Sequence, residues 1–405
     1  MKTKKILFVT ILPFHKVGNQ SLINTIKGYY EKGYDVSLIA NTRIIFHLNN
    51  TNICQINYKN PRSRNNKIYE KESLADYSLD YKNEYDKIFY KELEFISTNK
   101  YYLVKDILLY FIFQLYLLVT FLRCPNILKC DILYAYGVHS VPILKVLSKL
   151  TNKKLVTRFQ GTILYGFLKN KKVPIYLFHH RFSLKIPADL LVMANDGTNG
   201  YRVLKMLKNK SNKILFIPNG VDERRRKINV YKDKNKIVFL TCNRLTFWKR
   251  IDRVIIVVNE LVKTYNKNIQ CYIIGEGALY DDLKKMIEYF ELGDYINLLK
   301  GVNFEELNRY YSVADYYITL NDQSNLTNGL LESIKLDIPV ITFKERAIEE
   351  ICDLKYSFNK NDDFKKQIAK LNEYLETDKK IPALKYVSYW KERMVKEISY
   401  LEKNV

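Results

Sequence analysis

Short apolar runs alternate with longer amphipathic stretches along most of this chain. Ile6 to Thr10 is apolar throughout, as a strand buried on both faces should be. A loop carrying Pro13 and Gly18 follows, then a helical pattern over 21–32 that Gly33 would stop, then a second apolar run over 36–40. This β-loop-α-β opening predicts a parallel α/β sheet. The alternation resumes with a strand at 132–135, a helix over 140–150, a strand over 154–158 and helical stretches over 163–185. A strand over 189–193, a helix over 197–208 and a strand over 213–217 lead to the turn signal Pro218-Asn219-Gly220. Residues 223–236 are polar and charged and read as a linker. A second series then predicts strands at 237–241, 270–274, 295–299, 315–319 and 338–342, with helices at 250–265, 279–291, 304–313 and 329–336 between or after them. The tail from about Asn361 is mostly helical in pattern.

The pattern therefore predicts two doubly wound, Rossmann-like α/β domains with a ligand cleft between them at the strand C-termini. The N-terminal domain spans 1–222, the linker 223–236 and the C-terminal domain 237–385. A last helix within 386–405 is expected to pack back on the N-terminal domain.

Two segments depart from the alternation. Residues 60–100 are rich in Lys, Asn, Tyr, Asp and Glu with weak periodicity, and read as an insertion. The hydrophobic helix of 101–123 contains Ile107 to Leu122, sixteen residues with Gln114 and Thr120 as the clearly polar members. A spanning helix needs roughly twenty apolar residues. A single crossing would also separate the strand at 132–135 from the one at 6–10, which should share its sheet. The helix is expected to pack in the core or to dock on a membrane surface.

The N-terminal Met1-Lys2-Thr3-Lys4-Lys5 followed by Ile6 to Leu12 resembles a signal peptide only superficially, because the run is short, Pro13 ends it and no cleavage site follows. The six cysteines form no CxxC pair and have no histidine cluster beside them, which argues against a zinc site or disulfide framework and for a cytoplasmic chain. Lys and Arg outnumber Asp and Glu by 66 to 43, a net charge of +23. That excess favours anionic partners (nucleotide phosphates, lipid headgroups or nucleic acid), although a lysine-rich solvated surface accounts for much of it. No nucleic-acid recognition motif accompanies the charge, so nucleic acid is not an expected partner.

The candidate chemistry lies mainly in the second half. Arg244 and Lys249 follow an apolar strand and precede a helix, where two cations and backbone N–H groups can hold a diphosphate. A solvated basic turn would look the same. Gly275-Glu276-Gly277 fits a tight βα turn equally well. Ser324, Asn325, Leu326, Thr327 and Asn328 lead into a helix, again an anion-binding geometry. Glu332, early in that helix, could accept from ribose hydroxyls or merely complement the helix dipole.

Order and spacing extend these signals. Ile217-Pro-Asn-Gly-Val-Asp222, Asn243 to Asp252, Ile273 to Gly277, Leu299-Lys-Gly-Val302, Ala314-Asp315, Asn325 to Glu332 and Ile338 to Ile341 together resemble the retaining GT-B glycosyltransferases of the group 1 class, family four. The resemblance is strong over 213–342; the N-terminal half is similar in its strand pattern and Gly18 loop alone. It implies that Arg244 and Lys249 bind the donor diphosphate and stabilise the leaving group. It implies that Glu332 binds the ribose as the second glutamate of an E-x7-E motif, and that the backbone of 325–328 contacts sugar and phosphates. Val302 would read the base and Gly18 would lie near the phosphates and acceptor.

Two positions break the family pattern. Ser324 stands where the first glutamate of E-x7-E would contact the donor sugar, and serine is not a charged acceptor. Gln160 stands where a histidine often precedes glycine near the reacting sugar; it can orient a hydroxyl but cannot act as a base. His139 is a candidate replacement, against the plainer reading of a structural histidine at a helix start. The resemblance implies retaining transfer from a nucleotide sugar, UDP-linked by preference, to a glycan or lipid-linked acceptor, assisted by the donor's own phosphate. No DxD motif occurs, so no metal and no other cofactor is expected. The competing readings are a non-catalytic sugar-nucleotide binding protein, a nucleic-acid binder and a sugar-nucleotide epimerase. The expected location is the cytoplasm, peripheral on the inner face of the membrane.

Overall fold

Two parallel sheets, each covered by helices, carry the chain. The structure is a computed structural model that describes residues 4–11, 20–40, 52–55, 100–123, 129–168, 171–322, 324–377, 383–384 and 386–405. Gly18 and all of the 60–100 insertion except Lys100 lie outside these residues.

The first unit runs through β1 (Lys5–Val9), α1 (Gln20–Glu31), β2 (Asp35–Ala40), β3 (Asn52–Gln55) and α2 (Lys100–Arg123). It continues with β4 (Ile132–Tyr136), α3 (Val141–Thr151), β5 (Lys154–Phe159), α4 (Phe178–Lys185), β6 (Leu190–Met193), α5 (Gly200–Met206) and β7 (Lys213–Phe216). Trp390–Val405 belongs to the same unit. The strands lie in the order β3-β2-β1-β4-β5-β6-β7, and every pair is parallel. The strand order reverses at β1 and β4, the switch point outside whose carboxyl ends doubly wound sheets bind ligands.

Apolar side chains fill both faces of this sheet. Leu7 and Val9 point into one cluster and Ile6 and Phe8 into the other, as the period of two requires. The hydrophobic helix α2 contributes Tyr110, Phe113, Leu117 and Phe121 to the interior, a spacing of three or four residues. Its Gln114 donates Nε2 to the His139 carbonyl at 2.9 Å and accepts from the Ile143 amide at 3.2 Å, tying α2 to the start of α3. Thr120 bonds back to the Tyr116 carbonyl at 2.9 Å. Leu108, Phe111, Ile112, Leu115, Val119 and Leu122 of α2 are exposed. No helix among the described residues is long and apolar enough to cross a membrane.

The second unit spans Val221–Tyr389. It holds β8 (Ile237–Cys242), α6 (Ile251–Lys263), β9 (Ile269–Ile274), α7 (Tyr280–Tyr289), β10 (Ile296–Leu299), α8 (Phe304–Val313), β11 (Tyr316–Thr319), α9 (Asn328–Lys335) and β12 (Val340–Phe343). After these come α10 (Arg346–Glu349), β13 (Cys352–Asp353), β14 (Ser357–Phe358), α11 (Phe364–Glu376) and β15 (Ala383–Leu384). The order β10-β9-β8-β11-β12-β14 is again parallel throughout, with its switch point between β8 and β11. β13 and β15 form a separate antiparallel pair. The final helix, α12 (Trp390–Asn404), lies in the first unit, packed on α1 and β7.

α12 is anchored by charge as well as by Trp390, Met394, Ile398 and Leu401. The buried Glu397 carboxylate pairs with Arg158 of β5 at 2.7 Å and Arg393 at 2.5 Å, and accepts from Tyr134 at 2.7 Å. The segment 223–236 is coil, and Arg225 within it is buried while Arg224 is exposed.

Candidate functional site

In the second unit, the residues singled out by motif lie at the carboxyl ends of strands of one parallel sheet. Arg244 and Lys249 lie in the loop after β8, Val302 in the loop after β10, and Ser324 to Asn328 in the loop after β11. The β8 and β11 loops flank the switch point, so the parallel order itself brings them together.

The β8 loop is held rigidly. Its buried Leu245 donates its amide to the Glu276 carbonyl at 2.9 Å and accepts from the Leu279 amide at 3.2 Å, which knits it to the loop after β9. Arg250 is buried with φ +44° and pairs with Asp252 at 3.0 Å and Asp322 at 3.4 Å. Arg253 also binds Asp322, at 2.7 Å, and the Asp322 amide donates to the Trp248 carbonyl at 3.1 Å. Two ion pairs to Asp322 thus weld the β8 loop and the start of α6 to the end of β11. In this basic motif Arg250 is scaffold, whereas Arg244 is exposed and Lys249 half-buried.

The β11 loop is equally ordered. Thr327 caps α9, its hydroxyl accepting from the Leu330 amide at 3.2 Å. The Asn325 side chain is buried and fully used: Oδ1 accepts from the Asn321 amide at 2.8 Å, and Nδ2 donates to Glu345 Oε1 at 2.7 Å. The Asn325 amide donates to Glu345 Oε2 at 3.3 Å, and Lys360 pairs with that carboxylate at 2.9 Å. Ser324 adopts φ +57°, and the Leu326 side chain is buried in the core. The start of α9 therefore presents backbone N–H groups, while the loop's own side chains mostly hold its shape.

Glu332 lies on the second turn of α9, nearly buried, 2.8 Å from Arg225 Nε. Burial pushes its carboxyl above the usual value; Arg225 and a hydrogen bond with Tyr311 pull in the opposite direction. Burial, and after it the Glu332 carboxylate, raise the thiol of Cys242 at the end of β8.

In the first unit, His139 and Gln160 follow β4 and β5 on either side of Gly137 and Gly161. His139 packs among rings: Tyr110, Phe113 and His179 lie 5.9, 6.4 and 5.4 Å from it by centroids. Gln160 is exposed, donates to the Tyr136 hydroxyl and accepts from Asn219 at 3.4 Å. Tyr136 also meets the Ser21 hydroxyl at 2.9 Å. This polar network at the strand ends can orient a substrate hydroxyl.

Sequence reasoning did not find Arg225, Glu345, Lys360, Tyr136 or Ser21. Arg225 lay in an arginine run that looked like a solvated linker, and the others carry no local motif. Among the described residues, no three His, Cys, Asp or Glu side chains converge as a metal site.

Part of the chain is similar to a known family and to curated proteins. Residues 198–389 match the family described as glycosyl transferases group 1. The alpha-monoglucosyldiacylglycerol synthase of Acholeplasma laidlawii is 26% identical over 188 residues, covering 42% of this chain and 46% of that protein. The synthase of the same name from Streptococcus pneumoniae is 26% identical over 122 residues, covering 30% of this chain and 27% of that protein. The chain thus spans less than half the length of the curated relatives it matches. The crystal structure of HepE from Anabaena in complex with UDP and glucose superimposes with a TM-score of 0.63 at 12% identity, covering 99% of this chain and 100% of that one. Residues 198–389 thus resemble the glycosyl transferases group 1 family, and the chain as a whole has the two-domain α/β GT-B fold.

Proposed function

We propose that the protein is a glycosyltransferase that moves a sugar from a UDP-sugar to a hydroxyl of a lipid-linked or growing glycan acceptor, with retention of configuration. The observation that carries this reading is the placement of the Arg244 and Lys249 loop and the α9 start on either side of one switch point, with Glu332 on the second turn of α9. Arg244, Lys249 and the α9 N–H groups would neutralise the diphosphate as the bond from the sugar's anomeric carbon to the phosphate oxygen breaks. The acceptor oxygen would attack on the same face and pass its proton to a phosphate oxygen of the leaving UDP. Gln160, held by Tyr136, would orient a hydroxyl rather than remove its proton. Val302 would contact the base and Glu332 the ribose, with Gly18 on the phosphate side and His139 on the acceptor side. HepE was crystallised with UDP and glucose, and the curated relatives are named for a glucosyl lipid, which supports a UDP-sugar donor and a lipid-linked acceptor.

A thermal-shift screen against UDP-, GDP-, ADP- and dTDP-sugars tests the donor assignment. Stabilisation by a UDP-sugar and by UDP is expected, and indifference to the whole panel would refute it. Transfer should survive chelation; activity lost to EDTA and restored by manganese would overturn the metal-independent mechanism. Ser324, at a position where a charged acceptor is expected, favours a second reading, a sugar-nucleotide binding protein without catalysis. Binding with neither transfer nor donor hydrolysis would select it.

The acceptor side carries a location. The exposed apolar residues of α2 from Leu108 to Leu122 form a stripe about 21 Å long at 1.5 Å per residue. Val146 and Leu150 of the adjoining α3 are exposed too. From Lys100 to Pro187 the sequence carries thirteen Lys and Arg besides the buried Arg158, against Asp106 and Asp131. An apolar stripe within a stretch of sequence rich in Lys and Arg fits the anionic inner face of a membrane, where each Lys or Arg near the headgroups contributes about 1 kcal/mol. Leu108→Glu/Leu115→Glu should lose co-sedimentation with anionic vesicles while keeping UDP affinity. Equal sedimentation of the variant, or a wild-type stripe buried by self-association, would sink this part.

A further inference from the structure

Glu332 is held from behind by a residue that no motif signals. Arg225 lies in the coil before β8, and its guanidinium is enclosed by α8. Its carbon lies 3.8 Å from the Phe304 ring centre and 5.2 Å from that of Tyr311. Its Nη1 donates to the Phe304 carbonyl at 2.9 Å and to Asn308 Oδ1 at 2.8 Å. Asn308 in turn reaches the Arg224 carbonyl at 3.4 Å, so the coil and α8 fix each other. With rings against it and Nη1 held by acceptors, the guanidinium keeps its Nε 2.8 Å from Glu332 Oε2, an ion-pair distance whose angle falls outside hydrogen-bond geometry. The contact is a close ion pair in a site that solvent barely reaches.

We propose that Arg225 is the positioning residue for nucleotide selection: it pins one oxygen of the Glu332 carboxylate, so that the remaining acceptor sites meet the 2′- and 3′-hydroxyls of the donor's ribose. The inference rests on the donor reading of Glu332 given above. A carboxylate with two oxygens and about four lone-pair sites can satisfy one arginine and a ribose diol together. Without Arg225 the same carboxylate would sit beside Tyr311, Tyr317, Cys242 and Asp222, none of them a cation. Burial would then be opposed by less positive charge, and the carboxyl would take its proton at higher pH. A protonated Glu332 accepts poorly from a diol, so ribose recognition should fail from the acid side first.

The experiment compares UDP with 2′,3′-dideoxy-UDP by titration calorimetry between pH 5 and 8. The proteins are wild type, Glu332→Gln, Arg225→Met and Arg225→Lys. Wild type should prefer UDP at least tenfold, and Glu332→Gln should abolish the preference. In Arg225→Met the preference should fall at least fivefold at pH 7 while dideoxy-UDP affinity stays within threefold of wild type. Arg225→Lys should restore part of the preference, with the pH at which it half-disappears raised above the wild-type value. If Arg225→Met does not fold, the pH profile of Arg225→Lys decides alone, and an unshifted profile overturns the proposal. Equal loss of both nucleotides in Arg225→Met would make Arg225 purely structural, and full preference in both variants would likewise overturn it. A wild-type protein that binds UDP and dideoxy-UDP alike would instead remove Glu332 from the ribose, and one that binds neither would remove the donor site itself.

Discussion

Glu397→Gln isolates the electrostatic anchor of α12. The carboxylate accepts from Arg158, Arg393 and Tyr134 at 2.5–2.7 Å and from Tyr29 at 3.3 Å, with both arginine side chains about 1% exposed. Glutamine keeps the volume and removes the charge, which leaves two buried guanidinium groups without a counterion. Breaking a buried pair by removing one partner costs about 3–5 kcal/mol. At roughly 2–4 °C per kcal/mol for a unit of this size, the melting temperature should fall by about 6–20 °C. Hydrogen exchange of the α12 amides should accelerate along with it. Burial alone would raise the Glu397 carboxyl; Arg393, Arg158 and the Tyr134 hydroxyl more than offset this and hold it below its ordinary value. A depressed folded value contributes stability that is present above the unfolded carboxyl's pKa of about 4.3 and is lost as pH falls through the folded one. The wild-type advantage over Glu397→Gln should therefore be full at pH 7 and shrink in acid. Replacing the whole triad, as Arg158→Met/Glu397→Leu/Arg393→Met, should cost much less than the single change, because no charge is stranded. A Glu397→Gln protein that melts within 2 °C of wild type, or a triple variant weaker than the single, would refute the reasoning.

Three further changes probe the loops that shape the candidate sites. A Cβ on Gly329 would lie 2.3 Å from the Tyr317 hydroxyl and 3.3 Å from the Cys242 carbonyl, so Gly329→Ala should cost about 1–3 kcal/mol in urea melts and weaken UDP binding; an unchanged urea midpoint would contradict this. Gly161 combines φ +79° with Asp196 Oδ2 only 2.2 Å from its would-be Cβ. Gly161→Ala should therefore lose at least about 1–2 kcal/mol from the backbone alone, read by the same melts. Thr327→Ala removes the α9 cap and should cost about 1 kcal/mol, with a parallel fall in UDP affinity seen by calorimetry.

The regular part of the fold was readable because its signals are local. Buried parallel strands appear as apolar runs, and helices such as 304–313 carry their cap and period in the sequence; Asn303 accepts from the Glu306 amide at 2.8 Å. The strand read at 338–342 begins two residues later, at Val340, because Pro339 has no N–H to give the ladder. The short edge strand Asn52–Gln55 escaped, its polar composition carrying no run. Charged residues were the least legible. Arg224 and Arg225 are adjacent and chemically identical, yet one pairs at the surface with Asp222 and the other lies in the core beside Glu332. Arg393 and Glu397 have the spacing of an exposed i,i+4 pair, and only the distant Arg158 explains why both are buried. Likewise nothing in the sequence distinguishes Arg250 from its neighbour Lys249, yet Asp252 and Asp322 hold Arg250 in the interior. The motif residues Arg244, Lys249, Ser324 to Asn328 and Glu332 were visible as types in order, whereas their common strand edge is a property of topology.

The most direct test of the account is the affinity for UDP of wild type, Arg244→Ala and Lys249→Ala, measured by calorimetry at fixed salt. Each substitution removes a charged partner of the diphosphate and should weaken binding by about 1–3 kcal/mol, roughly 5- to 150-fold, with the melting temperature of the free protein unchanged. Wild-type affinity for UDP in both variants would contradict the assignment of this strand edge as the donor site.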